Sequence, residues 1–348
     1  MDALTERARP RWGRLLKRIL VIAVGAAAAG VALMLIVSAD ARYIARAGIE
    51  EARLLLRRRS IDKLMTDTTT PPALRQRLAL VLAARAYAAD SLGLAVGKTY
   101  TTYVDVGRDT LLLVLSASRR DKLREVTWRY PIVGIVPYKG FFSAKRARSD
   151  AQRLDAQGLD VFLRPSGAFS TLGYLSDPLF STAMSRDTME LVATVIHELA
   201  HNTLYVKSQT PFNESFASFV GYRGAEAFFR SRHDTLDARR AGARWRDERT
   251  LDVFYAELAR RLDSAYAEPL NGARLEQVRS NLFGWARDQF RGPVGQSLET
   301  YLNLFDEIYL QNNADIAETI RAIQIRVFTQ PGDPYQALYS RPGMKVED

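Results

Sequence analysis

Apolar and polar positions divide the chain into stretches of different period. Residues 19–39 hold 21 successive positions without a charge, ILVIAVGAAAAGVALMLIVSA. A helix rises about 1.5 Å per residue, so this run matches a hydrocarbon core of about 30 Å. The expectation is a transmembrane anchor, preceded by a basic cytoplasmic tail over residues 1–18 that carries Arg7, Arg9, Arg11, Arg14, Lys17 and Arg18. The positive-inside rule then keeps the N-terminus cytoplasmic and exports the chain beyond residue 40 or so. A cleaved signal peptide ending at Val37-Ser38-Ala39 is the competing expectation.

Residues 40–95 read as a helical hairpin. The first helix offers Ile44, Ala47, Leu54 and Leu55 as apolar positions, and a polar turn, TDTTTPP, comes next. Pro71 and Pro72 then open a second helix with Leu78, Leu82, Ala86 and Leu92. The period changes over residues 96–185. The runs LLLVLS at 111–116, VTWRYPIVGIVPY at 126–138 and LDVFL at 159–163 are β-prone, and residues 144–157 are helical. This is a small mixed α/β lobe. Residues 186–330 return to helical spacing, with helices expected over 187–206, 213–232, 236–267, 270–291 and 297–310. Residues 331–348 form a tail with prolines and glycines. The fold class expected is α+β, mostly helical: an N-terminal transmembrane helix, the mixed lobe, and a helical catalytic bundle.

Composition changes this picture little. The net charge of +10 reflects arginines spread over the whole length. With no basic stripe interleaved with stacking aromatics, the chain is not expected to bind nucleic acid. The absence of cysteine excludes disulfides, thiolate metal sites and a catalytic thiol.

Histidine is scarce, and two of the three histidines, His197 and His201, stand four apart. On a helix this spacing puts both imidazoles on one face, one turn apart, where both reach one metal. Glu198 lies beside them and can take a proton from water held by that metal. Leu191, Val192, Val195, Ile196, Leu199, Ala200 and Leu204 make the helix apolar almost all round, and charged groups in such a setting need a partner. A catalytic zinc (Zn2+) takes three protein ligands and keeps one open position. Glu214, thirteen residues after His201 and beyond a turn containing Pro211, is the expected third ligand. Asp187, Glu190 and His233 are the other candidates.

HELAH followed by Asn213-Glu214-Ser215-Phe216-Ala217 resembles the gluzincin metallopeptidases, in which a glutamate in an N-E-x-F-A setting is the third zinc ligand. The interval between His201 and Glu214 is shorter than theirs. Over residues 43–230 the chain is more closely similar to a family of bacterial aminopeptidases defined mainly from sequence. That similarity rests on Tyr130-Pro131-Ile132-Val133-Gly134, Tyr138-Lys139-Gly140-Phe141-Phe142, Ser170-Thr171-Leu172-Gly173-Tyr174, Asp177-Pro178-Leu179, His197 to Tyr205 and Phe212 to Ala217. The resemblance implies a zincin-like core, Zn2+, a peptide substrate and aminopeptidase activity. With the anchor it implies a single-pass protein of the bacterial inner membrane whose catalytic domain is extracytoplasmic.

The chemistry expected is hydrolysis of a peptide bond, with Glu198 passing the water proton to the leaving amine. A donor should also meet the negative charge of the tetrahedral intermediate. Tyr222 and Tyr309 are the first candidates, with Tyr205 and His233 behind them. Ser170, Thr171 and Gly173 are candidate substrate-binding residues on a strand or loop beside the zinc helix. Glu190 and Asp177 are candidates for the substrate's free amine. The alternative is a membrane-tethered binding or scaffold protein whose metal site is retained but catalytically silent.

Overall fold

The computed structural model describes residues 12–130, 134–167, 177–184, 187–207, 209–267, 270–291, 305 and 308–329. It divides into two compact units, residues 1–56 and 57–348.

The first unit holds helices α1 (Trp12–Val37) and α2 (Ala39–Leu56). Ser38 joins them. Its hydroxyl accepts the Ala41 N–H at 3.1 Å, and Arg42 donates back to the carbonyls of Leu35 and Ile36 at 3.0 and 2.7 Å. Serine at a helix start satisfies an orphan donor in this way, and a basic side chain near a helix end caps its free carbonyls. The expectation of a transmembrane anchor over residues 19–39 is corrected here. No helix among the described residues is long and apolar enough to cross a membrane. The middle of the run, from Gly25 to Gly30, is alanine and glycine only, and such small side chains carry little of the transfer free energy that a bilayer span draws on. The mostly helical α+β class stands without that helix.

The second unit combines small sheets with a helical bundle. Strands β1 (Arg59–Ser60), β2 (Thr102–Val104) and β8 (Leu179–Phe180) form one sheet in the order β1-β2-β8. β2 runs parallel to β8, so segments some 75 residues apart meet with Tyr103 opposite Leu179. A second, antiparallel sheet has the order β6-β3-β7, from Tyr138–Phe141, Leu112–Arg119 and Leu159–Ser166. The β-prone run at 126–138 is a hairpin instead of one strand: β4 (Trp128–Tyr130) pairs with β5 (Gly134–Val136). Helix α5 (Ala144–Asp155) links β6 to β7.

The bundle comprises the short α3 (Ile61–Thr66), then α4 (Pro72–Asp90), α6 (Thr188–Thr203), α7 (Thr210–Ser231), α8 (Thr235–Ala265), α9 (Gly272–Arg291) and α10 (Ile316–Thr329). Its core is aromatic. Phe212, Phe216 and Phe219 on one stripe of α7 meet Trp245 of α8 and Phe305, all fully buried. Residues at i, i+4 and i+7 share a helix face, so this spacing fixes which side of α7 turns inward. It also leaves Glu214, two residues after Phe212, on a different side from that stripe.

Candidate metal centre

Helix α6 begins at a well-formed cap. The Asp187 carboxylate accepts the Glu190 N–H at 3.1 Å and pairs with Arg240 of α8. Met189, Leu191, Val192, Val195, Ile196, Leu199 and Ala200 are buried, which fixes the helix in the bundle. His197 and His201 emerge on the face left partly open, their side chains 23% and 20% exposed. Their ring centroids lie 5.0 Å apart with the planes at 85°.

The chain leaves α6 at Leu204 and re-enters the bundle as α7 after five residues. Asn213 sets this turn. Its amide is buried, accepts from the Val206 N–H and donates to the Val206 carbonyl, both at 2.8 Å. One side chain thereby satisfies both backbone groups of a residue in a tight reversal. Glu214 comes directly after it, on the first turns of α7. Farther along, Gly221 lets α7 press against α6. A Cβ there would lie 2.9 Å from the Ala193 carbonyl oxygen and 3.0 Å from the His197 Cβ. Gly224 likewise would meet Ile196 and Leu92 at 2.9 Å. The glycines set the separation of the two helices, and so the position of Glu214 relative to the histidines.

The result is a convergent donor set. One carboxylate oxygen of Glu214 lies 3.6 Å from His197 Nε2, and the other lies 3.7 Å from His201 Nε2. One ligand atom from each of the three residues lies within 4.8 Å of the others. The two N···O distances exceed an ordinary hydrogen bond of about 2.7–3.2 Å. They approach the edge of a tetrahedron with bonds of about 2.0–2.2 Å, the geometry of zinc held by imidazole and carboxylate. The protein also leaves His201 short of partners: its Nδ1 is buried with no hydrogen bond among the described residues. Two imidazoles and a carboxylate, spaced too widely to satisfy one another, fit a divalent cation.

The electrostatics prepare the ligands. Burial resists charge on His201, with the neighbouring His197 adding to it, and together they bring its pKa down to about 4. It is therefore a neutral imidazole at neutral pH. Burial also resists charge on His197, but the facing Glu214 and the adjacent Glu198 carboxylate outweigh it and hold the pKa above the usual value. Glu214 is held below the usual carboxylate range, because His197, His201 and Arg164 overcome its own desolvation. Glu198 goes the other way. Burial and the carboxylates of Glu214 and Asp177 raise its pKa, with His197 opposing. Two carboxylates in one site are thus pushed apart, one towards a permanent anion and one towards proton exchange.

The remaining candidates fall elsewhere. Asp187 caps α6. Glu190 faces Arg244 at 3.5 Å. His233 sits in the turn between α7 and α8 with φ +59°, its N–H on the Arg230 carbonyl. None of these three joins the ligand cluster. Tyr222 hydrogen-bonds Arg244 near Glu190 and Glu248. Tyr309 packs edge-on to Phe219, with the Arg223 guanidinium 5.0 Å over its ring. Tyr205 is exposed just after α6. Ser170, Thr171 and Gly173 lie outside the described residues. Two groups that the pattern of the chain did not point to face Glu214 instead: Tyr138 of β6 and Arg164 of β7. They come from opposite edges of the β6-β3-β7 sheet, and no local spacing links them to the zinc helix.

Comparison with known families gives the chain a family. A family model described as "Putative aminopeptidase" matches residues 42–340. The chain belongs to this family. The match begins within α2 and extends beyond α10. No curated protein matches the chain, and no solved structure matches it.

Proposed function

We propose that the protein is a zinc-dependent peptidase, an aminopeptidase by the description of its family, in which His197, His201 and Glu214 hold the metal and Glu198 transfers the proton. The observation that carries this reading is the convergence of those three side chains beside a buried carboxyl with a raised pKa. Zinc bound there supplies Lewis acidity to water and to the scissile carbonyl.

The chain's own residues account for the rest. Glu198 accepts one proton from the attacking water as the water oxygen bonds to the carbonyl carbon. It then hands that proton to the amine nitrogen as the C–N bond breaks, leaving a carboxylic acid and an amine. A carboxyl whose pKa is raised towards the working pH serves both directions of this transfer. Glu214 stays ionised and keeps its charge for the metal. Its side chain is 58% exposed, so the cluster opens outward and a peptide can reach it. Asp177, close enough to influence Glu198, adds the negative charge suited to a substrate's free ammonium group.

A binding protein with a silent metal site would be expected to close its coordination with a fourth side chain. Among the described residues the cluster has three members. The test is Glu198→Gln, which keeps shape and hydrogen bonding but cannot carry the proton. Zinc binding is expected to persist while hydrolysis of a panel of aminoacyl and dipeptidyl substrates falls by about three orders of magnitude or more. Full activity in that variant excludes the mechanism.

A further inference from the structure

An imidazole that binds a metal is ordinarily steered through its other nitrogen, which donates to a carboxylate, a carbonyl or water. His201 lacks such a guide: its Nδ1 is buried and makes no hydrogen bond among the described residues. The orientation of its ring then depends on its own backbone. That backbone lies in the last turn of α6, two residues before the helix ends at Thr203. Helices fray at such turns, where the final carbonyls have no intrahelical donor.

The fold ties this turn to two distant segments. One is the stretch after α4. Asn202 Nδ2 donates to Thr99 Oγ1, and the Ala95 N–H donates to Thr203 Oγ1, each at 2.9 Å. The Thr203 hydroxyl donates in turn to the Leu199 carbonyl at 3.2 Å, so it spans the turn that carries His201. Arg85 of α4 braces the stretch by donating to the Thr99 carbonyl at 3.0 Å. The other segment is α10. Gln324 Nε2 donates to the Thr203 carbonyl at 3.0 Å, from 121 positions along the chain. Ile320 and Ile323 are fully buried in the core of the bundle, so Gln324 arrives on a seated helix. It supplies one of the donors that the end of α6 lacks.

We infer that Gln324 is a positioning residue for the metal centre: by holding the Thr203 carbonyl it keeps the last turn of α6 closed and so presents His201 to the cation. The inference rests on the proposed ligand set. It gives α10 a share in metal binding, although no side chain of that helix belongs to the ligand cluster.

Charge at this position separates positioning from simple electrostatics. The C-terminal end of a helix carries partial negative charge. A lysine in place of Gln324 still donates, and its charge suits that end. A glutamate only accepts, and it repels the carbonyl. Acting directly on the metal, the same charges work the other way, since an added carboxylate attracts a cation and an added ammonium repels it. The two accounts therefore predict opposite orders of affinity.

The experiment is a competitive zinc titration of the metal-free full chain as wild type, Gln324→Glu, Gln324→Met and Gln324→Lys, with amide hydrogen exchange measured on the same samples. Zinc affinity is expected to fall about tenfold in Gln324→Glu and Gln324→Met, the smaller end of what losing a supporting bond around a metal ligand does. In Gln324→Lys it should stay within about threefold of wild type. Exchange at the amides of residues 202–204 should quicken at least about fivefold in the Glu and Met variants, while residues 191–196 stay within about twofold. Gln324→Glu and Gln324→Met affinities within about twofold of wild type overturn the assignment. So does the order set by charge alone, with the glutamate variant tightest and the lysine variant weakest. So does a loss of affinity with faster exchange throughout α6, which marks general destabilisation. Should Gln324→Glu not fold, the Met and Lys variants carry the same comparison. If the wild type binds zinc and Gln324→Met binds it as tightly, the Gln324 role alone falls. If the wild type takes up no zinc, the ligand set falls and this role with it.

Discussion

Gly221 offers a sharp test of how the two ligand helices are held. In Gly221→Ala the new methyl would lie 2.9 Å from the Ala193 carbonyl oxygen and 3.0 Å from the His197 Cβ. Both neighbours belong to the body of α6, which cannot rotate out of the way as a side chain would, so α6 and α7 must open by a few tenths of an ångström. Overpacking of this kind costs about 1–3 kcal/mol. Alanine in place of glycine inside a helix returns about 0.8–1 kcal/mol. The balance is a loss of about 1 kcal/mol, or about 1–2 °C in thermal midpoint for a chain of this size. Gly284 of α9 is the matched control, because a Cβ there meets nothing within 4 Å. Gly284→Ala should therefore stabilise, by about 0.5–1 kcal/mol. The same substitution thus has opposite signs at two helical sites. Gly221→Ala should also weaken zinc binding about tenfold, since opening the helices withdraws Glu214 from the histidines. The assays are thermal unfolding of the metal-free protein and a competitive zinc titration. If Gly221→Ala equals or exceeds the wild type in both, the close approach of α7 does not set the site.

Three further outcomes arise from particular contacts. Asn213→Ala deprives both backbone groups of Val206 of their partner and should cost about 2 kcal/mol, read as a lowered urea midpoint with the slope unchanged. Asp187→Ala removes the α6 cap and should cost about 1 kcal/mol at neutral pH. Arg240 chiefly holds the Asp187 pKa below its unfolded value, so its contribution is present above about pH 4 and is lost as pH falls through the lowered folded pKa. The difference between this variant and the wild type should therefore shrink in acid. Zinc must displace any proton on the ligands, and His197 holds its proton to a higher pH than an ordinary imidazole. Apparent zinc affinity should therefore fall about tenfold per pH unit below a point above about pH 6.5, with His201 adding a second proton only near pH 4. An affinity flat from pH 8 to 5 contradicts the ligand set.

The parts of the site written in local spacing were legible in the chain. His197 and His201 share a helix face because they are four apart, and Glu214 stands after a turn short enough to return it to them. The strand β7 and the helices α5 to α9 are also local, each built from one periodic stretch. The Asn213 clamp was hidden, since the asparagine acts on the backbone of Val206 and leaves no periodic trace. Tyr138 and Arg164 were hidden for a different reason. They reach Glu214 from strands β6 and β7, which distant segments bring to either side of β3. The expected membrane span is overturned because no helix among the described residues is long and apolar enough to cross a membrane.

The central claim is that His197, His201 and Glu214 together bind one divalent cation, and a competitive zinc titration of the metal-free wild type beside Glu214→Gln tests it most directly. The account predicts one tight site per wild-type chain, weakened at least about 100-fold when the carboxylate becomes an amide. A wild-type chain that takes up no zinc, or a Glu214→Gln variant that binds it as tightly as the wild type, would contradict it.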